Sequence, residues 1–260
     1  MILSGKRVVA FSPHLDDAAL SVGATISELA EDANLIHVVT LFSGIPDGFL
    51  SSVARKFHAK CGLPDSGMGM EVRRQEDLEA MKWLGVTCEH ADFLDAVFRR
   101  TASGEWVCKG DRSMFDQKNV QYGPDGLEEY LTSVFDASSP DLIMTCSANG
   151  GHIDHIITRE TVLAVADRKG IPALLWEDIP YAIGKKAQSP LRVRSELVRL
   201  SPRPKAWANK WKSAAQYVSQ LDMLWEGADW KRSMQLHALR RGNFQELTEI
   251  FWRRLDLTSR

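Results

Sequence analysis

The stretch Val8-Val9-Ala10-Phe11-Ser12-Pro13-His14-Leu15-Asp16-Asp17-Ala18 decides how this chain is read. Its first four residues are a short β-branched and aromatic run bounded by polar residues and a proline, which predicts a buried strand. From Ala18 onward, Leu20, Val22, Ala24, Ile26, Leu29 and Ala30 continue into a largely apolar predicted helix. One imidazole and two adjacent carboxylates therefore stand at a strand-to-helix turn. Open α/β sheets place their chemistry there, at the carboxyl edge of a strand. A hydrophobic core has no use for two neighbouring acids beside a histidine, whereas a cation keeps both ionised.

Working outward, the alternation repeats. Residues 35–42 form a fully apolar run, of the kind buried on both faces of a parallel sheet. A helix is expected over 71–84 with Gly85 as its stop, then a strand over 89–94 ending at Asp95. A helix over 126–137 leads into a strand over 141–146. Directly beyond it comes Ser147-Ala148-Asn149-Gly150-Gly151-His152-Ile153-Asp154-His155, followed by a helix to about Lys169 and a strand over 174–176. Residues 43–70 read as a long mobile excursion forming a pocket wall or lid, and 98–123 as irregular with weak strand signals over 105–109. From Gly184 the chain turns basic and Pro-rich and closes with helices expected over 214–224 and 244–255. The fold class is α/β: a Rossmann-like, mostly parallel sheet flanked by helices on both faces. Residues 1–260 read as one domain, the part from about 184 being an elaboration packed on it.

Composition narrows the function classes. The 32 basic and 34 acidic residues of this 260-residue chain nearly cancel, so no global field points to nucleic acid or an anionic membrane. No stretch approaches the roughly 20 apolar residues of a membrane span. The N-terminus shows no signal-peptide pattern, and the four cysteines include no CxxC pair, so a cytoplasmic protein with reduced thiols is expected.

The chemistry lies in two clusters, each after a predicted strand. In the first, His14 and Asp17 can face one point while Asp16 points elsewhere, free to act as a base; alone, an Asp-Asp pair would read as a helix cap. In the second, His152 and His155 share one face of a helical turn, and Asp154 between them can hold a ring nitrogen. His37 reads as a satisfied core residue; His58, His90 and His237, in a loop, at a strand start and in a polar helix, read as structural residues without carboxylate clusters. Arg73 is placed either as a clamp for a substrate group or as a surface partner of Glu76 or Asp77. Asp95 reads either as a ligand for substrate hydroxyls or as a turn cap. Trp207 and Trp211 are read either as a pocket lining or, the commoner fate of such a pair, as burial against the sheet.

Pro13-His14-Leu15-Asp16-Asp17 with the later His152-Ile153-Asp154-His155 resembles the signature Pro-His-x-Asp-Asp and His-x-x-His of the LmbE/PIG-L family of zinc-dependent N-deacetylases. Lesser matches are Arg73-x-x-Glu76, Leu84-Gly85 and Lys212 with Tyr217-x-Ser219-Gln220; Leu15 and Ala18 stand where many members carry Pro and Glu. The resemblance implies a zinc site of His14, Asp17 and His155, though Fe(II) or another divalent ion also suits such donors. It implies Asp16 as general base on a zinc-bound water, and His152, with Asp154 beside it, as acid or oxyanion stabiliser. The implied partner is a small N-acylated amino sugar or glycoconjugate whose amide is hydrolysed; hydrophobic residues near the C-terminus leave room for self-association. Two other readings compete. Two histidines and one carboxylate also form the facial triad of non-haem Fe(II) oxygenases, which have no clear use for the spare Asp16. A non-catalytic sugar- or nucleotide-binding α/β protein is disfavoured because the first turn carries neither G-x-G-x-x-G nor a P-loop.

Overall fold

The computed structural model describes residues 5–32, 34–188 and 195–254. In chain order the elements are β1 (Arg7–Ser12), α1 (Asp17–Glu31), β2 (Leu35–Thr40), α2 (Ser52–Lys60), α3 (Met68–Leu84), β3 (Thr87–His90), α4 (Leu127–Ser138), β4 (Leu142–Cys146), α5 (Ile153–Lys169), β5 (Ala173–Trp176), β6 (Ser195–Leu200), α6 (Pro204–Ala214), α7 (Val218–Trp225), α8 (Trp230–Arg241) and β7 (Glu249–Arg254). Among the described residues these strands form one seven-stranded sheet in the order β3-β2-β1-β4-β5-β7-β6. The first five run parallel, while β7 pairs antiparallel with both β5 and β6.

The strands alternate their apolar side chains between two cores, as the pleat requires. Val8, Ala10, Ile36, Val38, Leu142 and Met144 pack with Ala19, Val22 and Ile26 of α1 and Ala80, Met81 and Leu84 of α3. On the opposite face, Val9, Phe11, Val39 and Ile143 meet Leu131 and Phe135 of α4 and Val162 and Val165 of α5. The rings of Phe11 and Phe135 stack at 5.3 Å. This is the expected α/β sandwich with helices on both faces.

Several local expectations are corrected. The third strand lies at Thr87–His90, earlier than 89–94. Residues 43–70 are no loose excursion: Ser51 Oγ accepts the Ala54 N–H at 3.0 Å and starts α2. Val53 and Ala54 of that helix then bury against Leu15, Met70, Ala96 and Ile153. The helix expected over 244–255 is strand β7 up to Arg254, Leu255 lying outside the described residues. Phe251 and Trp252 pair on both sides, Ile250 pairs with β6, and all three are buried, so tertiary pairing overrides a helix-compatible composition.

Helix α1 breaks its own ladder at Val22 (φ −133°, ψ 23°). Two distant residues satisfy the freed groups. The buried Lys210 Nζ donates to Ser21 O at 3.0 Å and to Glu249 Oε1 at 2.6 Å. Glu249 accepts the Ala24 and Thr25 N–H groups at 3.2 and 2.8 Å. This ties α6 and β7 to the helix whose N-terminus carries the acidic pair.

Candidate metal centre

Strand order reverses between β1 and β4: the chain moves outward to β2 and β3 on one side and to β5 on the other. At such a switch point the loops diverge and leave a crevice at the carboxyl ends of the strands. The turn from β1 into the start of α1 carries His14, Asp16 and Asp17, and the connection from β4 into the first turn of α5 carries His152, Asp154 and His155. All six are buried.

The first turn folds back on itself. Asp17 Oδ2 accepts the backbone N–H of His14 at 2.9 Å, and Ser12 Oγ accepts that of Ala18 at 3.1 Å. Asp16 occupies the N-cap position of α1, yet its side chain makes no cap bond. Its carboxylate therefore stays available, as a helix-capping Asp would not be. In the second loop, Ala148, Gly150 and Gly151 have positive φ. A Cβ on Gly150 would lie 2.7 Å from the ring of Tyr181, so only glycine fits. His152 Nδ1 then accepts the Asp154 N–H at 3.2 Å and caps α5.

The two loops converge on one point. Asp17 Oδ2 lies 3.3 Å from His14 Nδ1 and 3.2 Å from His155 Nε2. Ligands at about 2.0–2.1 Å around a tetrahedral ion stand roughly 3.3–3.4 Å apart. The second ring nitrogen of each histidine is held by a carboxylate: His14 Nε2 by Asp154 Oδ2 at 3.1 Å, His155 Nδ1 by Asp178 Oδ1 at 2.7 Å. A proton on His155 Nδ1 leaves Nε2 as a lone pair, and that buried atom has no hydrogen-bond partner among the described residues. An open nitrogen beside a carboxylate oxygen, its ring fixed from behind, fits a metal ion. The grouping of His14, His152 and His155, with nitrogens within 4.8 Å of one another, overlaps this set. His152 Nδ1, however, is already engaged at the cap.

Electrostatics follow from this crowding. Burial opposes charge on His14, but Asp95, Asp154 and Asp17 outweigh it and raise its pKa well above the ordinary value. Burial likewise opposes charge on His155, which Asp17 and Asp178 nevertheless raise to about 9. For Asp17, burial is overcome by His155 and His14, which push the pKa down. Asp16 goes the other way, to about 7, because burial and Asp17 outweigh Arg73 and His14. Burial and the neighbouring His14 hold His152 well below its usual value, hence neutral. This concentration of carboxylate is what a divalent cation neutralises.

Asp154 holds a ring nitrogen, but that of His14 rather than of a histidine in its own loop. Its other contacts are the Ala96 N–H at 2.9 Å and Arg99 Nη1 at 2.6 Å. Arg73 is no surface partner: it is buried, 4.0 Å from Asp16 Oδ2 and over the ring of Phe57. Asp95 lies 3.4 Å from His14 Nε2 and accepts the Val97 N–H at 3.1 Å, lining the pocket while also making a turn bond. Trp207 and Trp211 pack together with their rings tilted at 32°, in a cluster with Ala24 and Ala238, and neither lines the site pocket.

Of the histidines read as lacking a carboxylate cluster, His90 and His237 each meet a single carboxylate, Asp77 and Glu177, at 2.8 Å, and His37, read as a core residue, is only half-buried and lies 3.6 Å from Glu89. His58 is buried within α2, not in a loop. Reading the sequence missed Arg99 and Asp178. Asp178 had a usable signal, an acid two residues past the strand ending at Trp176; a lone arginine in an irregular stretch had none.

Several known proteins are similar to this chain. The family model PIG-L, described as GlcNAc-PI de-N-acetylase, matches residues 9–166. The chain is 28% identical over 191 residues to a 2'-N-acetylparomamine deacetylase of Niallia circulans, covering 68% of each. It is 30% identical over 177 residues to a 1D-myo-inositol 2-acetamido-2-deoxy-alpha-D-glucopyranoside deacetylase of Corynebacterium efficiens, covering 67% of this chain and 54% of that one. A solved teicoplanin deacetylase in a zinc-inhibited form superposes with a TM-score of 0.85 at 29% identity, over 97% of this chain and all of the other.

Proposed function

The chain belongs to the PIG-L family of de-N-acetylases, and from that premise we propose that it hydrolyses the N-acetyl amide of an amino sugar, with His14, Asp17 and His155 holding a divalent metal. The observation that carries this reading is the approach of His14 Nδ1, Asp17 Oδ2 and His155 Nε2 beside an uncommitted Asp16. Similar proteins act on 2'-N-acetylparomamine and on an acetamido-glucopyranoside of inositol, which supports an amino-sugar substrate.

When bound, a divalent cation supplies Lewis-acid polarisation of the amide carbonyl and acidifies water. Asp16 accepts the proton of the attacking water; burial and the neighbouring Asp17 raise its carboxyl above the ordinary range, which strengthens it as a base. His152 is neutral, and its capping bond through Nδ1 puts the proton on Nε2, from which it stabilises the developing oxyanion. Asp16 then returns its proton to the departing amine as the C–N bond breaks, leaving acetate and a free amino group. Asp154 and Asp178 orient the two histidines from behind.

Two imidazole nitrogens and a carboxylate oxygen favour zinc. The zinc-inhibited form of a similar enzyme makes it essential to titrate zinc, iron(II) and cobalt(II) separately. The test is metal analysis of the purified chain together with acetate release from a methyl glycoside of N-acetylglucosamine. Asp16→Asn is expected to keep its metal and lose about 10²–10⁴ in kcat. A variant retaining more than about a tenth of the rate overturns the base assignment.

A further inference from the structure

Helix α3 and the edge strand β3 bring three metal-ligating side chains together, away from the loops that carry His14 and His155. Cys88 and His90 stand two residues apart on β3 and so project from one face of the strand. That face packs on α3, where Asp77 meets them: its carboxylate, Cys88 Sγ and a His90 ring nitrogen lie within 4.8 Å of one another. None of the three is a residue of the catalytic centre built from His14, Asp17 and His155.

Asp77 sets the cluster apart from ordinary packing. It is fully buried, yet among the described residues no lysine or arginine comes within ion-pair reach of it. Its oxygens meet Tyr217 Oη, a neutral donor, at 2.6 Å and His90 Nε2 at 2.8 Å, a ring that is charged only when it carries a second proton. Buried charges are paired with a counter-charge or coordinate a metal. Cys88 is half-buried beside this carboxylate. Burial and Asp77 push its thiol up to about 11, a conflict that a cation bound between the two anions reverses. The place is reached from solvent, since β3 is the edge strand and the His90 side chain is 10% exposed.

We propose that Asp77, Cys88 and His90 form a second site for a divalent cation, with zinc preferred, in which Asp77 Oδ2, Cys88 Sγ and His90 Nε2 are three tetrahedral ligands and solvent is the fourth. The carboxylate and the thiolate cancel the charge of the ion, and the thiolate selects zinc against magnesium or calcium. On binding, the thiol loses its proton to water and the neutral His90 ring carries its proton on Nδ1. The metal thus takes the place of the hydrogen in the Asp77 bond. The 2.8 Å separation opens to roughly 3.3–3.4 Å, the span of two such ligands around a tetrahedral ion. The ion holds Asp77 against Tyr217, the residue from which α7 starts, and the adjoining Glu76 already accepts the Ser219 N–H at 2.8 Å and its hydroxyl at 2.6 Å. Helix α7 carries Gln220, Met223 and Leu224 into the cavity over the catalytic centre. The second ion therefore braces a wall of that cavity and takes no part in the reaction.

The experiment titrates the full chain with cobalt(II) and, separately, measures zinc per chain after gel filtration. His14, Asp17 and His155 offer no sulfur, so a cobalt–thiolate charge-transfer band reports the second site alone. The wild type is expected to show the band and to hold two zinc ions per chain. Cys88→Ser is expected to lose the band and hold one ion. His90→Gln keeps the thiolate and is expected to weaken cobalt binding, read from the band, by at least about 100-fold, since losing a ligand costs more than losing the group behind one. Zinc should also raise the Tm of the wild type further than that of Cys88→Ser. One ion per chain without a thiolate band, or a band that survives Cys88→Ser, overturns the site. Unaltered cobalt affinity in His90→Gln overturns the ligand set. The band does not depend on turnover, so its absence leaves the deacetylase reading standing, and a chain without deacetylase activity still decides this site.

Discussion

Replacing Lys210 by Met tests how the break in α1 is sustained. Lys210 Nζ is the cation against Glu249 at 2.6 Å and the donor to Ser21 O, and both side chains are about 3% exposed or less. Met keeps the length and removes the charge. Glu249 is then left buried without a cation, though it still accepts the N–H groups of Ala24 and Thr25. Breaking a buried pair costs roughly 3–5 kcal/mol, and the two surviving bonds argue for the lower end, about 3 kcal/mol. At roughly 2–4 °C per kcal/mol for a chain of this size, Tm falls by about 6–12 °C. Glu249→Gln strands the ammonium instead and costs a similar amount. The double variant buries no charge, so its loss should fall well short of the sum, with a coupling of about 2 kcal/mol. Urea unfolding of all four proteins closes the cycle. A Lys210→Met loss under about 1 kcal/mol, or additivity within about 0.5 kcal/mol, refutes the reasoning.

Other outcomes follow from the same structure. Asp178→Asn weakens the hold on His155 Nδ1, and metal affinity measured against a chromophoric chelator should drop about 10–100-fold; unchanged affinity denies Asp178 an orienting role. Burial disfavours the charge on Glu177, but His237 and Arg241 overcome it and lower its pKa below the usual 4.5. The unfolded chain thus binds more protons than the folded one in that window, so stability is fully present above about pH 4.5 and lost as pH falls through the lowered value. Glu177→Gln should flatten this acid limb in unfolding titrations, and an unaltered limb assigns it elsewhere. Gly150→Ala places a Cβ against Tyr181 at a φ of +87°, and a loss of about 2 kcal/mol or more is expected in denaturant midpoint; a neutral substitution shows that the loop relaxes.

The alternating sheet and the two clusters are legible in the chain because both depend on short-range spacing. Val8 to Phe11 form the buried strand their run predicts, Gly85 takes up the left-handed cap it predicts at a φ of 75°, and a helix does open beside the second cluster, though it begins at Ile153 and leaves His152 as its extended cap. What could not be read there is which distant group each side chain meets. His14 is held by Asp154, 140 residues away, and Glu249 reaches back 225 residues to the broken turn of α1. The strand at Glu249–Arg254 exists because two other strands flank it. Local periodicity fixes an element and the face it buries. Only the assembled tertiary structure determines which buried charge finds its partner, because a carboxylate is stable in the interior wherever folding supplies donors, and nothing in its immediate sequence says where those will be.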